Sequence, residues 1–279
     1  MNAPPDPRVT PYRPDLAAAS LRGVVEAGRF VEGAPRQARL GRAPIVGEPD
    51  PAARRVSELL FGEVFTVYDE RPGWAWGQCA ADGYVGWVPA QALSDRVHAP
   101  THRLKALRSF VFPEPDLKTP PLDTLSLGTP LAVAGERSGW CGLAGGGWVF
   151  ARHVEPVGAD PHDPVETALA FLGTPYLWGG RSSIGIDCSG LVQAAFAMAN
   201  LQVPRDSDMQ RAAIGTLASP DGRDFAFRRG DVVGFPGHVG LMLDAERLVH
   251  ATGFHLAVCI EPVAAVAERA GGILAVRRV

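Results

Sequence analysis

Residues 186–200 read Ile-Asp-Cys-Ser-Gly-Leu-Val-Gln-Ala-Ala-Phe-Ala-Met-Ala-Asn, a cysteine near the start of a mostly apolar stretch. The apolar residues Leu191, Ala195 and Met198 recur at helical spacing, which predicts a helix with Cys188 in its first turn. Unpaired backbone N–H groups and the positive end of the helix dipole lie at such a position. Because both favour an anion, we expect this position to stabilise the thiolate of Cys188 over the thiol.

Helical and strand patterns flank this stretch. Before it, Asp163 and Pro164 predict the N-cap and first residue of a helix that ends by Gly173. After it come short apolar runs separated by Gly, Asp or Pro, which predict strands of one antiparallel sheet. These runs cover residues 231–235, 239–243, 247–250, 257–260 and 273–277. Helices followed by a sheet indicate an α+β domain over residues 164–279.

Two histidines in the predicted sheet can serve the cysteine. His238 directly follows a Pro-Gly turn and lies at the start of the predicted strand 239–243, and His250 ends the next predicted strand, 247–250. Because the two residues lie across a hairpin, they can face each other on adjacent strands. A lone cysteine at a helix start is usually a small buried hydrophobe. Together with a base and a polar group that orients the base, Cys188 instead indicates nucleophilic catalysis.

An internal repeat organises the first half of the chain. Residues 57–93 and 124–154 share the order Gly-x-x-Phe/Leu-x-Val, a turn, Gly-Trp, a second turn and Gly-Trp-Val. Short alternating apolar stretches between turns predict a small antiparallel barrel for each copy, over residues 40–95 and 103–156. The preceding residues 1–39 begin with a Pro- and Ala-rich segment, and we expect them to form a partly disordered arm.

Composition narrows the class of protein. The chain has 279 residues, 46% of them apolar, and a formal net charge of −3, which gives no electrostatic footprint for nucleic acid or an anionic membrane. Its 32 glycines and 25 prolines favour turns and short strands over long helices. The four cysteines are too scattered for a disulfide framework or a zinc ribbon. Because we find no secretory-signal pattern and no bilayer-spanning apolar run, we expect a cytoplasmic protein.

Four motifs carry a family resemblance: Tyr176-x-Trp-Gly-Gly, Asp187-Cys-Ser-Gly-Leu-Val, His238-Val-Gly-Leu-x-Leu and Leu248-Val-His-Ala. In this order they resemble the NlpC-type cysteine peptidases of the papain superfamily, and the repeat resembles bacterial SH3-like domains. The resemblance implies a papain-like α+β catalytic domain, with helices packed on an antiparallel sheet, after two small all-β SH3-like barrels. It also implies cleavage of the γ-D-glutamyl-diamino-acid bond in short cell-wall peptides with a free N-terminal L-Ala, as in peptide recycling inside the cell.

The resemblance also implies roles for individual residues. Cys188 would be the nucleophile, His238 the base and His250 the residue that orients the base. The substrate-binding positions would be Tyr176, Asp187, Ser189, Ser207 and, in the first barrel, Tyr84. The implied partner is a muropeptide, with no cofactor and no metal, and the oligomeric state stays open.

Two of the substrate-binding positions have an ordinary structural alternative. Asp187 precedes the predicted helix, so its carboxylate can be the N-cap instead of the partner of the substrate's ammonium group. Ser207 can likewise cap a helix that starts near Met209. Neither role follows from the sequence alone.

Three other functions stay open at this point. The chain could bind peptidoglycan without catalysis. It could also be another Cys/His amidase or acyltransferase on the same scaffold, because a fold does not determine the acyl donor. A metal site of Cys188, His238, His250 and Cys259 is the third alternative, although its spacings match no zinc pattern.

Overall fold

A computed structural model describes residues 4–279 of the chain. The chain divides into two compact units, Met1–Val157 and Gly158–Val279. Strands and short 3-10 turns make up the described part of the first unit, and the second unit combines α-helices with a sheet. Among the helices of the described residues, none is both long and apolar enough to cross a membrane.

The first part of unit 1 is built from short strands that alternate with turns. Its strands are β1 (Ala17–Ala18), β2 (Phe30–Val31), β3 (Ala34–Ala38), β4 (Arg42–Val46), β5 (Arg55–Leu60), β6 (Val64–Arg71), β7 (Trp74–Cys79), β8 (Val85–Pro89) and β9 (Leu93–Ser94). Strands β3–β9 form an antiparallel sheet in the order β5-β4-β8-β7-β6-β3-β9. Ile45, Leu59 and Phe65 are fully buried in the core of this sheet.

The amino-terminal residues pack on this sheet, which differs from the expected disordered arm. Leu16 is fully buried in a cluster with Trp76 and Trp87. The guanidinium of Arg13 lies 4.4 Å from the ring centroid of Trp76 and 5.1 Å from that of Trp87. The sheet itself begins at Ala34, before the predicted domain boundary. The part of the expectation that concerns the first three residues lies outside the described residues.

The second part of unit 1 has a hydrophobic core of its own. Its strands are β10 (His102–Leu104), β11 (Arg108–Val111), β12 (Asp123–Ser126), β13 (Pro130–Leu131), β14 (Val133–Arg137), β15 (Trp140–Leu143), β16 (Trp148–Phe150) and β17 (Val154–Pro156). They pair as β13-β10-β17, β11-β12 and β14-β15-β16 around the fully buried Leu104, Leu125 and Leu131. Gly73 and Gly139, at matching points of the repeat, both have positive φ (80° and 83°) and turn the chain into β7 and β15. That both copies are SH3-like barrels stays a prediction.

Unit 2 contains the predicted helices and the predicted sheet. Its elements are α1 (Pro164–Leu169), β18 (Arg181–Ser182), β19 (Gly185–Ile186), α2 (Cys188–Met198), α3 (Ser207–Ala213), β20 (Thr216–Ser219), β21 (Val232–Phe235), β22 (His238–Met242), β23 (Arg247–Thr252), β24 (Ala257–Pro262), α4 (Val263–Ala270) and β25 (Ala275–Arg278). The sheet is antiparallel, in the order β20-β25-β21-β22-β23-β24. The predicted runs correspond to β21–β25, and β20, which lacks such a run, adds an edge strand.

Helices cover both faces of this sheet. On one face, Val263 and Val266 of α4 pack with a buried cluster that includes Val233 and Phe235 of β21. Gly234, which points to the opposite face, leaves room for a side chain of α3. Helices α1 and α2 pack on each other and contact β22 and β23. A layer of helices therefore holds the start of α2 near the central strands.

Helix starts in unit 2 follow the capping pattern with one difference. The carboxylate of Asp163 accepts the backbone N–H of Val165 at 2.7 Å, as predicted for the cap of α1. Helix α3 begins at Ser207, with Asp206 in the N-cap position. The expected start near Met209 is therefore two residues late, and Ser207 is the first residue of the helix rather than its cap.

Candidate active site

Cys188 is the first residue of α2, where the helical spacing predicts it. Asp187 occupies the N-cap position, and its Oδ1 accepts the backbone N–H of Gly190 at 2.7 Å. Gly190 has no substitute here, because a Cβ would collide with the carbonyl oxygen of Gly180. The loop that carries the Trp-Gly-Gly motif thus lies directly against the first turn of α2.

The thiol of Cys188 is buried, with the residue only 7% exposed. Burial, followed by the negative charge of Asp187, raises the pKa of Cys188 to about 12, against the opposing effects of backbone N–H groups and of Arg205. The expectation that the helix start favours the thiolate is therefore wrong, because desolvation outweighs the helix terminus. The thiol stays protonated at neutral pH and needs a base.

His238 and His250 lie on the adjacent strands β22 and β23, and their rings are hydrogen-bonded. Nε2 of His238 is 2.7 Å from Nδ1 of His250. A Cβ at Gly240 would collide with the side chain of Leu248 and would lie 3.2 Å from the Cβ of His250, so glycine permits the close packing of β22 on β23 here. Burial, and then the charge that His250 can carry, lowers the pKa of His238 to about 4. At neutral pH His238 is therefore a neutral imidazole that can accept a proton.

The backbone connects the nucleophile to the strand of the base. The sulfur of Cys188 receives a hydrogen bond from the backbone N–H of Val239, the residue after His238. This contact agrees with the packing of α2 on β22. A buried thiol beside the start of a strand that carries a neutral imidazole can act as a nucleophile once that imidazole removes its proton.

Glu261 and Arg269 extend the histidine pair, although none of the sequence motifs indicated either residue. Nε2 of His250 is 2.9 Å from Oε2 of Glu261. Arg269 donates to Oε1 and Oε2 of Glu261 at 3.1 and 2.7 Å. A signal for Glu261 was present: Cys259 pairs with His250 across the hairpin, and Glu261, two residues further, points to the same face of the sheet.

A group of possible metal ligands lies here, but it differs from the set considered above. Ligand atoms of His250, Cys259 and Glu261 lie within 4.8 Å of one another. Among the described residues, neither Cys188 nor His238 belongs to this group of possible ligands. Both carboxylate oxygens of Glu261 already accept hydrogen bonds from a guanidinium, so a cation would have to displace that partner.

Asp187 is held by a buried arginine. Arg205 is 1% exposed, and its guanidinium donates to Oδ2 and Oδ1 of Asp187 at 2.6 and 3.0 Å. Oδ2 also accepts the backbone N–H of Gly179 at 2.9 Å. The alternative that Asp187 is an N-cap is confirmed, and its negative charge is paired inside the protein. The carboxylate of Asp187 therefore already has a cationic partner within the protein, and its contact with the substrate's ammonium group stays a prediction.

The other predicted substrate-binding residues divide between the two units. Ser189 accepts a hydrogen bond from Arg205 at 2.9 Å and lies in the first turn of α2. Burial raises the pKa of Tyr176, and the charges of Cys188 and Asp187, which lie near enough to act on it, raise it further. Tyr84 lies in unit 1, where it is buried. Substrate contact by Tyr84, Tyr176, Asp187, Ser189 and Ser207 stays a prediction.

We expect Arg205→Met to destabilise the protein by about 3–5 kcal/mol, because it leaves the carboxylate of Asp187 buried and unpaired. Urea unfolding of the full chain, followed by tryptophan fluorescence and circular dichroism, measures this loss. The double variant Arg205→Met/Asp187→Asn should regain most of it. Arg223→Met is the matched control, since Arg223 has an 86% exposed side chain and should change stability by less than about 0.5 kcal/mol. Wild-type stability of Arg205→Met would contradict the structural role of the pair.

Comparisons with known proteins agree with this site. Residues 173–266 match the NlpC/P60 family, and residues 45–93 match the bacterial dipeptidyl-peptidase SH3 domain. The dipeptidyl-peptidase 6 of Lysinibacillus sphaericus is 30% identical over 75% of this chain and 84% of its own length. The gamma-D-glutamyl-L-lysine dipeptidyl-peptidase of Bacillus cereus is 24% identical over 74% of this chain and 70% of its own length. A crystal structure of an NlpC/P60 family protein from Bacillus cereus has a TM-score of 0.76 and 19% identity, covering 88% of this chain and 99% of that one.

The fold, the buried cysteine at a helix start and the histidine pair define a cysteine peptidase with a papain-like catalytic domain. The chain belongs to the NlpC/P60 family. The family predicted from the four motifs is thereby confirmed, and the alternative of a binding protein without catalysis is not supported. The SH3 match covers the first copy of the repeat.

Proposed function

We propose that this peptidase hydrolyses the γ-D-glutamyl-diamino-acid bond of short cell-wall peptides with a free N-terminal L-Ala, as a step of muropeptide recycling in the cytoplasm. The observation that carries the proposal is the name dipeptidyl-peptidase in two relatives that are matched over most of their length. A dipeptidyl-peptidase cuts two residues from a free amino terminus. In L-Ala-γ-D-Glu-diamino acid, the bond at that distance is the γ-glutamyl bond.

The proposed reaction runs through an acyl-enzyme on Cys188. His238 takes the thiol proton, and the sulfur attacks the γ-carbonyl carbon to form a C–S bond. The tetrahedral intermediate then breaks its C–N bond, and the amine of the diamino acid leaves with the proton held by His238. A water molecule gives a proton to His238, and its oxygen attacks the thioester carbon. The second tetrahedral intermediate breaks the C–S bond, the dipeptide leaves with a new carboxylate, and the sulfur takes back the proton held by His238.

The negative charge on the carbonyl oxygen needs hydrogen-bond donors at the start of α2. Backbone N–H groups in the first turn of a helix have no partner within the helix, and Cys188 occupies the first position. The phenol of Tyr176 stays protonated because its pKa is raised, so it can donate as well. We assign the oxyanion to these two donors.

The carboxylate proposed to bind the free amino group, that of Asp187, is already paired with Arg205. An ammonium group could share the carboxylate of Asp187 with Arg205, and it could also donate to the hydroxyl groups of Ser189 and Ser207. In this form of the proposal, hydrogen bonds to the ammonium group supply the selectivity, rather than relief of an unpaired buried charge. Tyr84 remains a proposed contact from the first unit.

The proposal predicts that L-Ala-γ-D-Glu-diamino acid is cleaved into L-Ala-D-Glu and the free diamino acid. Incubation of the enzyme with the meso-diaminopimelate and L-lysine tripeptides, followed by mass spectrometry, measures this outcome and ranks the two substrates. The α-linked isomer is the matched control and should stay intact. Absence of cleavage in both γ-linked tripeptides would contradict the proposal, and transfer of the acyl group to an added amine without hydrolysis would favour an acyltransferase.

A further inference from the structure

We propose that Glu261 and Arg269 are positioning residues for the catalytic base, because together they determine which ring nitrogens of His250 and His238 carry protons. The inference rests on the proposed role of His238 as the base. It does not depend on which peptide is the substrate, and one of its readouts needs no substrate at all.

The hairpin of β23 and β24 places the carboxylate next to the histidine. Cys259 lies directly opposite His250, and Glu261 is the next residue of β24 on that face. Helix α4 starts immediately after β24 and brings Arg269, in its last turn, back to Glu261. The guanidinium also lies 4.2 Å from the ring centroid of Phe254 in the hairpin turn. The guanidinium of Arg269 is thus held in place by both the carboxylate of Glu261 and the ring of Phe254.

Glu261 is an ionised acceptor in this arrangement. Burial by itself would raise the pKa of Glu261, but hydrogen bonds and positive charge from Arg269 and His250 outweigh burial and lower it to about 2. An ionised carboxylate accepts hydrogen bonds and cannot donate them. The 2.9 Å contact between Oε2 of Glu261 and Nε2 of His250 therefore requires a proton on that nitrogen.

This proton determines the state of the second ring. A neutral His250 that is protonated on Nε2 has a bare Nδ1, which can only accept a hydrogen bond. The 2.7 Å contact between the rings therefore requires the proton on Nε2 of His238. A neutral His238 in this form has a bare Nδ1, the nitrogen that remains to take the proton of Cys188. The carboxylate of Glu261 thus selects the reactive tautomer of His238 by acting through the ring of His250.

Arg269 prevents the carboxylate from overcharging His250. Burial is the largest influence on the pKa of His250 and lowers it, while Glu261 raises it and Arg269 lowers it again. A doubly protonated His250 would donate from both nitrogens, so Nε2 of His238 would have to accept and its proton would move to Nδ1. With its Nδ1 protonated, His238 could not take the proton of Cys188 through that nitrogen. The guanidinium therefore lets Glu261 orient His250 without protonating it.

Other groups around His250 are compatible with this arrangement. His255 in the hairpin turn lies 3.4 Å from Glu261 and lowers the pKa of His250 by a smaller amount. Several titratable or charged groups lie on the elements packed around His250. They are Cys188 on α2, His238 on β22, Cys259 and Glu261 on β24, His255 in the turn and Arg269 on α4, together with the exposed Arg247 of β23, Glu268 of α4 and Glu166 of α1, which pairs with Arg229. If removing Glu261 and removing Arg269 shift the pKa values of His238 and His250 in opposite directions, the effect is therefore specific to this ion pair.

The test compares Glu261→Gln with Arg269→Gln. Nitrogen-15 NMR of the histidine rings in the free protein reports tautomer and pKa, with the signals assigned from His238→Gln and His250→Gln. We expect Glu261→Gln to lower the pKa of His238 and His250 by about one unit and Arg269→Gln to raise both by about one unit. The histidine-dependent limb of the kcat/KM profile against pH should move in the same two directions, and kcat should fall at least about tenfold with little change in KM.

Controls separate positioning from a structural effect. Glu268→Gln and Arg223→Gln remove the same charges at exposed positions and should leave tautomers, pH profile and rate unchanged. Glu261→Asp keeps the charge and should restore the tautomer that Glu261→Gln loses. Arg269 has a 30% exposed side chain, so its variant is expected to fold even if Glu261→Gln does not, and its shift then decides the question. Shifts in the same direction, or none in folded variants, would overturn the inference.

Discussion

Cys188→Ala removes peptide hydrolysis, with kcat expected to fall by at least about 10⁴-fold, while the protein stays folded. The physical reason is that the sulfur of Cys188 attacks the carbonyl carbon in the proposed reaction, and alanine cannot form the acyl intermediate. The lost volume is one buried sulfur atom, so α2 and its cap at Asp187 should persist. Hydrolysis of the γ-linked tripeptide, followed by mass spectrometry, measures the rate, and circular dichroism monitors the fold.

Two matched variants sharpen this result. Cys188→Ser keeps the shape of the side chain but replaces the thiol by a hydroxyl group that is far harder to ionise, and it should be nearly as inactive. Cys141→Ala removes a buried cysteine of unit 1 and should keep wild-type turnover. Wild-type turnover of Cys188→Ala would show that another residue is the nucleophile.

Acetylation of the L-Ala nitrogen is expected to lower kcat/KM for the tripeptide by at least about a hundredfold. The acetyl group removes the positive charge and two donors, so the proposed hydrogen bonds from the ammonium group to Asp187, Ser189 and Ser207 are lost. The measurement is a comparison of kcat/KM for the free and N-acetylated tripeptides. A C-terminal amide on the diamino acid is the control modification, because it lies at the opposite end of the peptide and should have a much smaller effect.

Variants locate the selectivity within the site. Asp187→Asn is a poor test, since it also leaves Arg205 buried without its counter-ion. Ser207→Ala and Tyr84→Phe each remove one hydroxyl group and should narrow the difference between the free and acetylated substrates. Equal kcat/KM values for both substrates in the wild type would contradict end recognition and would favour a hydrolase that acts along intact peptidoglycan.

Features with a local origin were predictable from the sequence. The cap at Asp187, the start of α2 at Cys188 and the facing histidines follow from residue types at fixed short spacings. Helical periodicity and hairpin alternation act over a few residues, so a single sequence displays them. The helix that starts at Pro164 was predictable for the same reason, from its cap residue Asp163 and the proline at its first position.

Features that depend on contacts distant in sequence were not predictable in this way. Arg205 lies in a loop 18 residues from Asp187, and nothing near it indicates that its guanidinium is buried. Glu261 needed both a hairpin register and a helix that returns Arg269 to it. The amino-terminal segment looked disordered because its composition is Pro- and Ala-rich, yet Leu16 fits an aromatic surface built by strands that follow later in the chain.

The state of the nucleophile shows the limit of an argument from a helix terminus alone. The position of Cys188 predicted a stabilised thiolate, and that local effect is present as a hydrogen bond from the backbone N–H of Ser189 to the sulfur. The larger effect is desolvation, which depends on how completely the surrounding elements cover the thiol. Burial of the thiol is a property of the assembled fold, so the residues next to Cys188 in the sequence do not indicate it.

A covered and protonated thiol has a consequence for the chemistry of its environment. Peroxide and simple alkylating reagents react with thiolates, so the unoccupied enzyme should resist oxidation that would damage an exposed, acidic cysteine. The same property affects inhibitor design. A small electrophile without a peptide portion has little access to the sulfur, whereas one attached to a ligand that fills the cleft is brought to Cys188 where His238 can remove the proton. Durability in an oxidising stress and selectivity among covalent inhibitors thus have one physical origin.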